Sequence, residues 1–204
     1  MNFKVMGSGM RRNQLVLKQY DLSLKKDENE LWLEIKQGNE NALADLFRIY
    51  YSRLYNYGMK IVTNREFIKD CIQELFLTLW DSRNSIKEAY SVKSYLFSSL
   101  RRTIFRKLKK NRATYERNKK YVENHFHEPM NIEQLIVHFE IEQESKQQLR
   151  NALKNLGGRQ KEAIYLKYYD GLSNAEIADI MGINRQSVYN HVSGAIQRLQ
   201  QFIH

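Results

Sequence analysis

Arg185, Gln186, Ser187, Tyr189 and Asn190 crowd hydrogen-bonding side chains into one short run near the end of the 204-residue chain. Arginine pairs bidentately with guanine, and glutamine or asparagine with adenine, so the run has the chemistry of a surface that reads base edges. A second set lies at mid-chain. Tyr90, Tyr95, Phe97 and Phe105 lie where a basic segment with Lys107, Lys109, Lys110 and Arg112 begins, and rings interleaved with cations stack unpaired bases and attract phosphates. The same aromatics would also serve a core, and the residues alone leave both readings open. A third set is Asp70, Gln73, Leu77 and Trp80, an aromatic anchor with an apolar neighbour and polar selectors, the make-up of a protein-binding patch.

Helices must position all three. Ser173 and Glu176 have capping-box spacing, Gly182 stands where a tight turn needs left-handed backbone, and Asn184 is placed to cap a second helix. In that second helix Val188, Val192, Ala195, Ile196 and Leu199 form an apolar stripe. The pattern is that of a helix-turn-helix, and it puts Arg185 to Asn190 where such motifs meet the major groove. An ordinary helical hairpin with a solvated face is the alternative. Upstream, Leu31, Ile35, Leu43, Leu46, Phe47, Tyr50, Leu54, Tyr57 and Ile61 recur at three- and four-residue steps, interrupted at Gly38-Asn39. Thr63 and Glu66 predict the cap of another helix running to Trp80. Its core stripe is Ile68, Ile72, Leu75 and Leu79. At 100° per residue, Asp70, Gln73, Leu77 and Trp80 fall on the opposite face, where a further helix of the same bundle would be the alternative to a partner. A last N-terminal helix is expected from Ser94 to about Lys110.

Composition sets the class. One proline and nine glycines leave little turn chemistry for a many-stranded fold, and 42% hydrophobic content is enough for real cores, so an all-α chain is expected. The longest apolar stretches are far too short to span a bilayer, the start lacks a secretory signal, and a lone Cys71 fits a reducing, cytoplasmic compartment. Of the net charge of +10, residues 101–120 carry ten basic side chains against the single acid Glu116, whereas residues 121–204 are net acidic. A block of that kind marks contact with nucleic acid or an anionic surface. We therefore expect two small helical domains joined by a linker: a flexible arm at 1–27, a bundle at 28–112, a linker at 113–144 and a helix-turn-helix unit at 145–204. No phosphate-binding Gly-x-x-x-x-Gly-Lys loop is present, His125 and His127 lack companion cysteines, and Glu74, Asp81 and Glu88 read as surface carboxylates. Neither a catalytic centre, a metal nor a cofactor is expected.

Two of these motifs, in this order, resemble a known family. Asp70-Cys-Ile-Gln-Glu-Leu-Phe-Leu-Thr-Leu-Trp80 resembles the core-polymerase-binding helix of bacterial RNA polymerase sigma factors, and Ala42 to Val62 resembles the helix before it in region 2. The segment from Ser91 to Lys110 is similar to the helix that reads the −10 element, and Leu156 to Leu199 to region 4, which reads the −35 element. With two such regions and a short linker, the chain resembles the extracytoplasmic-function (ECF) class of the sigma-70 family. The resemblance implies that Asp70, Gln73, Glu74, Phe76, Leu77 and Trp80 dock on the polymerase. It implies that Asn84 and Tyr90, in the loop 84–90, and Lys93, Tyr95, Arg101, Arg102 and Arg106 serve the −10 strand. Arg185, Gln186, Ser187, Tyr189 and Asn190 would read the −35 duplex. The implied partners are core RNA polymerase, promoter DNA and an anti-sigma factor, often membrane-attached, with no small-molecule substrate. Tyr189 and His191 stand where arginines are common in relatives, which bears on the −35 preference.

Reach is consistent with that division of labour. Two duplex elements some 25 base pairs apart lie roughly 85 Å from one another, and a stretched linker of about 35 residues spans ~115 Å. A free-standing helix-turn-helix repressor on a palindrome and a nuclease with a basic groove are the rival readings. The charge on residues 101–120 and the two-faced helix argue against the first, the missing catalytic signature against the second.

Overall fold

The computed structural model describes residues 27–86, 91–110, 126 and 146–201, and every regular element among them is a helix. These are α1 (Glu28–Lys36), α2 (Glu40–Ile61), α3 (Arg65–Asp81), α4 (Val92–Lys110), α5 (Lys146–Lys154), α6 (Gly158–Tyr168), α7 (Asn174–Met181) and α8 (Arg185–Gln200). The arm expected at 1–27, apart from Asp27, and the linker expected at 113–144, apart from Phe126, lie outside the described residues. Asp27 belongs to α1 rather than to an arm, because its carboxylate accepts from the Asn29 backbone N–H at its start.

The breaks between helices follow from side-chain caps and positive-φ glycines. Gly38, at φ 86°, lets the chain leave α1, and Asn39 Oδ1 then accepts from Asn41 N at 3.0 Å to open α2. The cap of α3 falls one residue later than the Thr63–Glu66 spacing predicts. Asn64 Oδ1 accepts from Phe67 N at 3.1 Å, asparagine being at least as good a cap as threonine. The expected capping box at Ser173 is present, with Glu176 N and Ser173 N each bonded to the other residue's side chain at 3.3 and 2.8 Å. Gly182 at φ 65° makes the turn, and Asn184 Oδ1 accepts from Ser187 N at 2.7 Å to open α8.

Helices α1 to α4 close around Leu46, Tyr50, Leu54 and Tyr57 of α2, Ile68, Ile72 and Leu79 of α3, and Leu96, Phe97 and Leu100 of α4, all buried. The crossing of α2 and α3 is close because Gly58 has no side chain. A Cβ there would stand 2.8 Å from Ile68 Cγ2. Helices α5 to α8 form the second unit around Leu149, Leu153, Ile164, Ile177, Val188 and Leu199. The two units touch. Helix α7 lies along α4, and Phe126 is buried between the rings of Tyr57 (centroids 6.3 Å apart) and Tyr165 (5.6 Å). No helix among the described residues is long and apolar enough to cross a membrane.

Candidate functional site

The face of α3 that periodicity sets opposite its core stripe is open. Leu77 is 57% exposed, Asp70 and Gln73 are exposed, and Trp80 is half-buried. No helix among the described residues covers them. Together with Glu40, Leu43 and Phe47 of α2, the residues Gln73, Phe76, Leu77 and Trp80 line an apolar groove. Phe76, expected at the surface, is 5% exposed and forms the floor, its ring edge-on to Phe47 at 5.0 Å. Phe47 continues into a ladder along α2 with Tyr51 at 5.1 Å and Tyr55 beyond. At the far end the Arg83 guanidinium lies 4.4 Å from the Trp80 ring centroid, fixing the indole's orientation. Sequence periodicity shows the α3 side of this groove. The α2 side is missed because Leu43 and Phe47 follow the same three-and-four spacing as true core residues.

Glu74 does not stand free on this face. It is ion-paired to Arg106 and, at 2.8 Å, to Lys107, both of α4. The structure thus joins a residue expected at the polymerase to one expected at the −10 strand. Of the other residues expected at the −10 strand, Asn84 is exposed in the turn after α3, Tyr90 lies outside the described residues, and Arg102 is exposed with Nη2 donating to Ser99 Oγ at 3.1 Å. Tyr95 packs edge-on to Trp32 of α1 at 4.9 Å. Lys93 is half-buried. Burial, then the nearby positive charge of Arg53, lowers its pKa.

Arg101 is engaged with the second unit. Its Nε donates to Glu162 Oε1 at 2.9 Å, and the same oxygen accepts from Tyr57 Oη at 2.7 Å. Burial disfavours the Arg101 charge, but the Glu162 carboxylate outweighs it and raises the guanidinium pKa. Burial and the same carboxylate push the Tyr57 hydroxyl well above its usual range. Two further contacts join the units: Arg53 Nε donates to Asp170 Oδ1 at 3.1 Å, and Ser91 Oγ to Glu176 Oε1 at 2.6 Å. None of this is legible in the sequence, where the partners stand 61 to 117 residues apart.

The first set lies together on α8. Arg185, Gln186, Tyr189 and Asn190 are exposed on the first turns of α8, with Tyr189 at 58%, while Ser187 is half-buried and its backbone N–H completes the Asn184 cap. Gln186 Nε2 donates to Asn190 Oδ1 at 3.1 Å, which aligns the two amides side by side.

A four-helix unit with an apolar groove, followed by a helix-turn-helix with a donor-rich second helix, is matched by two family models. Sigma-70 region 2 matches residues 46–114, and sigma-70 region 4 matches residues 146–199. The chain belongs to the sigma-70 family and is a sigma factor of transcription initiation. Within that family it is a member of the ECF group. An ECF RNA polymerase sigma factor SigK of Mycobacterium sp. (strain KMS) is 21% identical over 175 residues, 85% of this chain and 89% of the relative. The SigK of Mycobacterium tuberculosis is 20% identical over 178 residues, 87% and 94% of the two chains. Among solved structures, CnrH in complex with the cytosolic domain of CnrY superposes with a TM-score of 0.56 at 16% identity, covering 86% of this chain and 96% of that one. The sigma factor RpoE in complex with the anti-sigma factor NepR, from Bartonella quintana, gives 0.52 at 22% identity, covering 78% and 94%. At those identities the likeness establishes a shared fold.

Proposed function

We propose that this sigma factor binds core RNA polymerase through the α2–α3 groove, engages the −10 strand with α4 and the turn at Asn84, and reads the −35 duplex with Arg185, Gln186, Ser187, Tyr189 and Asn190. It has no catalytic step of its own. On this reading the division at 28–112 and 145–204 gives one unit to polymerase and melting and the other to duplex recognition. The observation that carries the reading is Leu77, a leucine held out to solvent beside Trp80 at the end of a groove with a phenylalanine floor. An apolar face with polar selectors at its rim is the anatomy of an interface core, and Trp is the residue type most enriched at such anchors.

An anti-sigma factor, soluble or tethered to a membrane, is the regulator this reading supplies. The two similar solved structures were each obtained with such a protein or a cytosolic domain bound. The test is reconstitution with core polymerase. Trp80→Ala should weaken association with the polymerase, whereas Arg185→Ala should leave association intact and impair promoter choice. Wild-type behaviour by both variants refutes the assignment.

A further inference from the structure

Four large apolar side chains stand exposed among the described residues, and Tyr189, at 58%, is the most exposed of them. Phe47 and Leu77 belong to the α2–α3 groove, whereas Tyr189 lies in the other unit, on the second turn of α8. No hydrogen bond and no aromatic contact holds it among the described residues. The fold itself makes little use of the ring.

Its neighbours on α8 carry complementary chemistry. At 100° per residue, Arg185 and Tyr189 share one row along the helix. Gln186 and Asn190 share the next, opposite the buried Val188, Val192, Ala195 and Leu199. The left-handed turn at Gly182 and the Asn184 cap fix where this face begins. A rise of ~1.5 Å per residue puts Arg185 and Tyr189 about 6 Å apart along the axis, close to two base-pair steps of ~3.4 Å, so the two side chains address different pairs. The bond from Gln186 Nε2 to Asn190 Oδ1 leaves Gln186 Oε1 to accept and Asn190 Nδ2 to donate. Those are the groups that the N6 and N7 edge of an adenine requires.

We infer that Tyr189 is a specificity residue for thymine, its ring packing on the C5-methyl of one −35 thymine while the Gln186–Asn190 pair holds an adenine on the same face. This rests on reading α8 as the duplex-reading helix. The methyl is the apolar feature of the major-groove edge, and among the four bases only thymine carries it. A ring exposed in the free chain meets a matching surface only there, because a cytosine or purine edge would press an unpaired polar group against it. An arginine at this position would favour guanine; tyrosine turns it to an A·T pair.

The experiment uses core polymerase loaded with the full chain. Duplexes randomised across the −35 region are selected for binding. The selected duplex is then remade with each thymine in turn replaced by uracil, which lacks only the methyl. Wild type should bind about fourfold more weakly with uracil at one position, the loss expected for one apolar carbon left in water. Tyr189→Ala should bind the thymine and uracil duplexes equally, and Tyr189→Phe should keep the difference. The side chain is exposed, so neither change disturbs the fold. A selected sequence without thymine, uracil tolerated at every position, or a methyl preference that survives Tyr189→Ala overturns the inference. So does Tyr189→Phe weakening all duplexes alike, the signature of a hydroxyl on a phosphate. Arg185→Ala should relax a different position, about two pairs away. If it does so while the methyl has no effect, the duplex-reading role stands and the thymine assignment fails; if no −35 sequence is selected, both fail.

Discussion

Leu77→Ala isolates docking from folding. The side chain is 57% exposed, so truncating it removes little from the folded bundle, and the thermal midpoint should stay within a degree or two of wild type. Fully burying a leucine is worth about 1.5–3 kcal/mol, and a little over half of that remains to be gained when a partner covers the groove. The expected loss is therefore about 1–1.5 kcal/mol, or roughly five- to tenfold in the dissociation constant. Trp80→Ala should cost more, about 2 kcal/mol or more, because an indole pre-oriented by the Arg83 guanidinium has the character of an anchor. The assay is competition between unlabelled variants and a fluorescent wild-type chain for purified core polymerase, with circular dichroism melts alongside. Leu77→Asp supplies the harsher version, since it would bury a charge without a counter-ion. Wild-type affinity for Leu77→Asp, with an intact fold, would refute the groove as the docking surface.

Other consequences can be checked separately. Gly58→Ala should destabilise the first unit by about 1–3 kcal/mol, because its new methyl meets Ile68 Cγ2 at 2.8 Å, and the cost should shrink in an Ile68→Ala background. Gly182→Ala should cost about 1–2 kcal/mol for a different reason: nothing lies within 4 Å of the added Cβ, but φ is 65°. Burial pushes the Cys71 thiol up to about 11 from 9.0, so the folded state holds that proton more tightly than the unfolded chain. The resulting stability is intact below about pH 9 and lost as pH rises through 11, by on the order of 2 kcal/mol, and denaturant melts of Cys71→Ala should lack this loss. Arg185→Ala should weaken the discrimination between cognate and altered −35 duplexes by about 1–3 kcal/mol at one position, measured by transcription from a promoter series.

How far the fold was legible depended on the range of the interaction. Local signals were strong. The Ser173–Glu176 box, the left-handed Gly182 and the Asn184 cap define the helix-turn-helix within a dozen residues, and each occurs as its chemistry requires. The two-faced character of α3 was equally readable, since a 100° period sorts Leu75 from Leu77 without any tertiary information. Competing caps were less so. Thr63 and Asn64 are adjacent and both suitable, and spacing alone does not choose between them. What the sequence could not disclose was the pairing of remote groups. Arg101 and Arg106 read as free cations in a basic block, yet one is held by Glu162 and the other by Glu74. A stretched linker would let the chain span two promoter elements. The structure shows the two units in contact, a state that no period, cap or charge count along the chain could indicate.

The account as a whole is tested most directly by mapping transcript 5′ ends made by core polymerase on genomic DNA with and without the purified chain. New start sites should appear only with the chain, each preceded by the same two short sequence elements at fixed separation, and Trp80→Ala should abolish them all. An unchanged set of 5′ ends, together with no association between the chain and the polymerase, would contradict it.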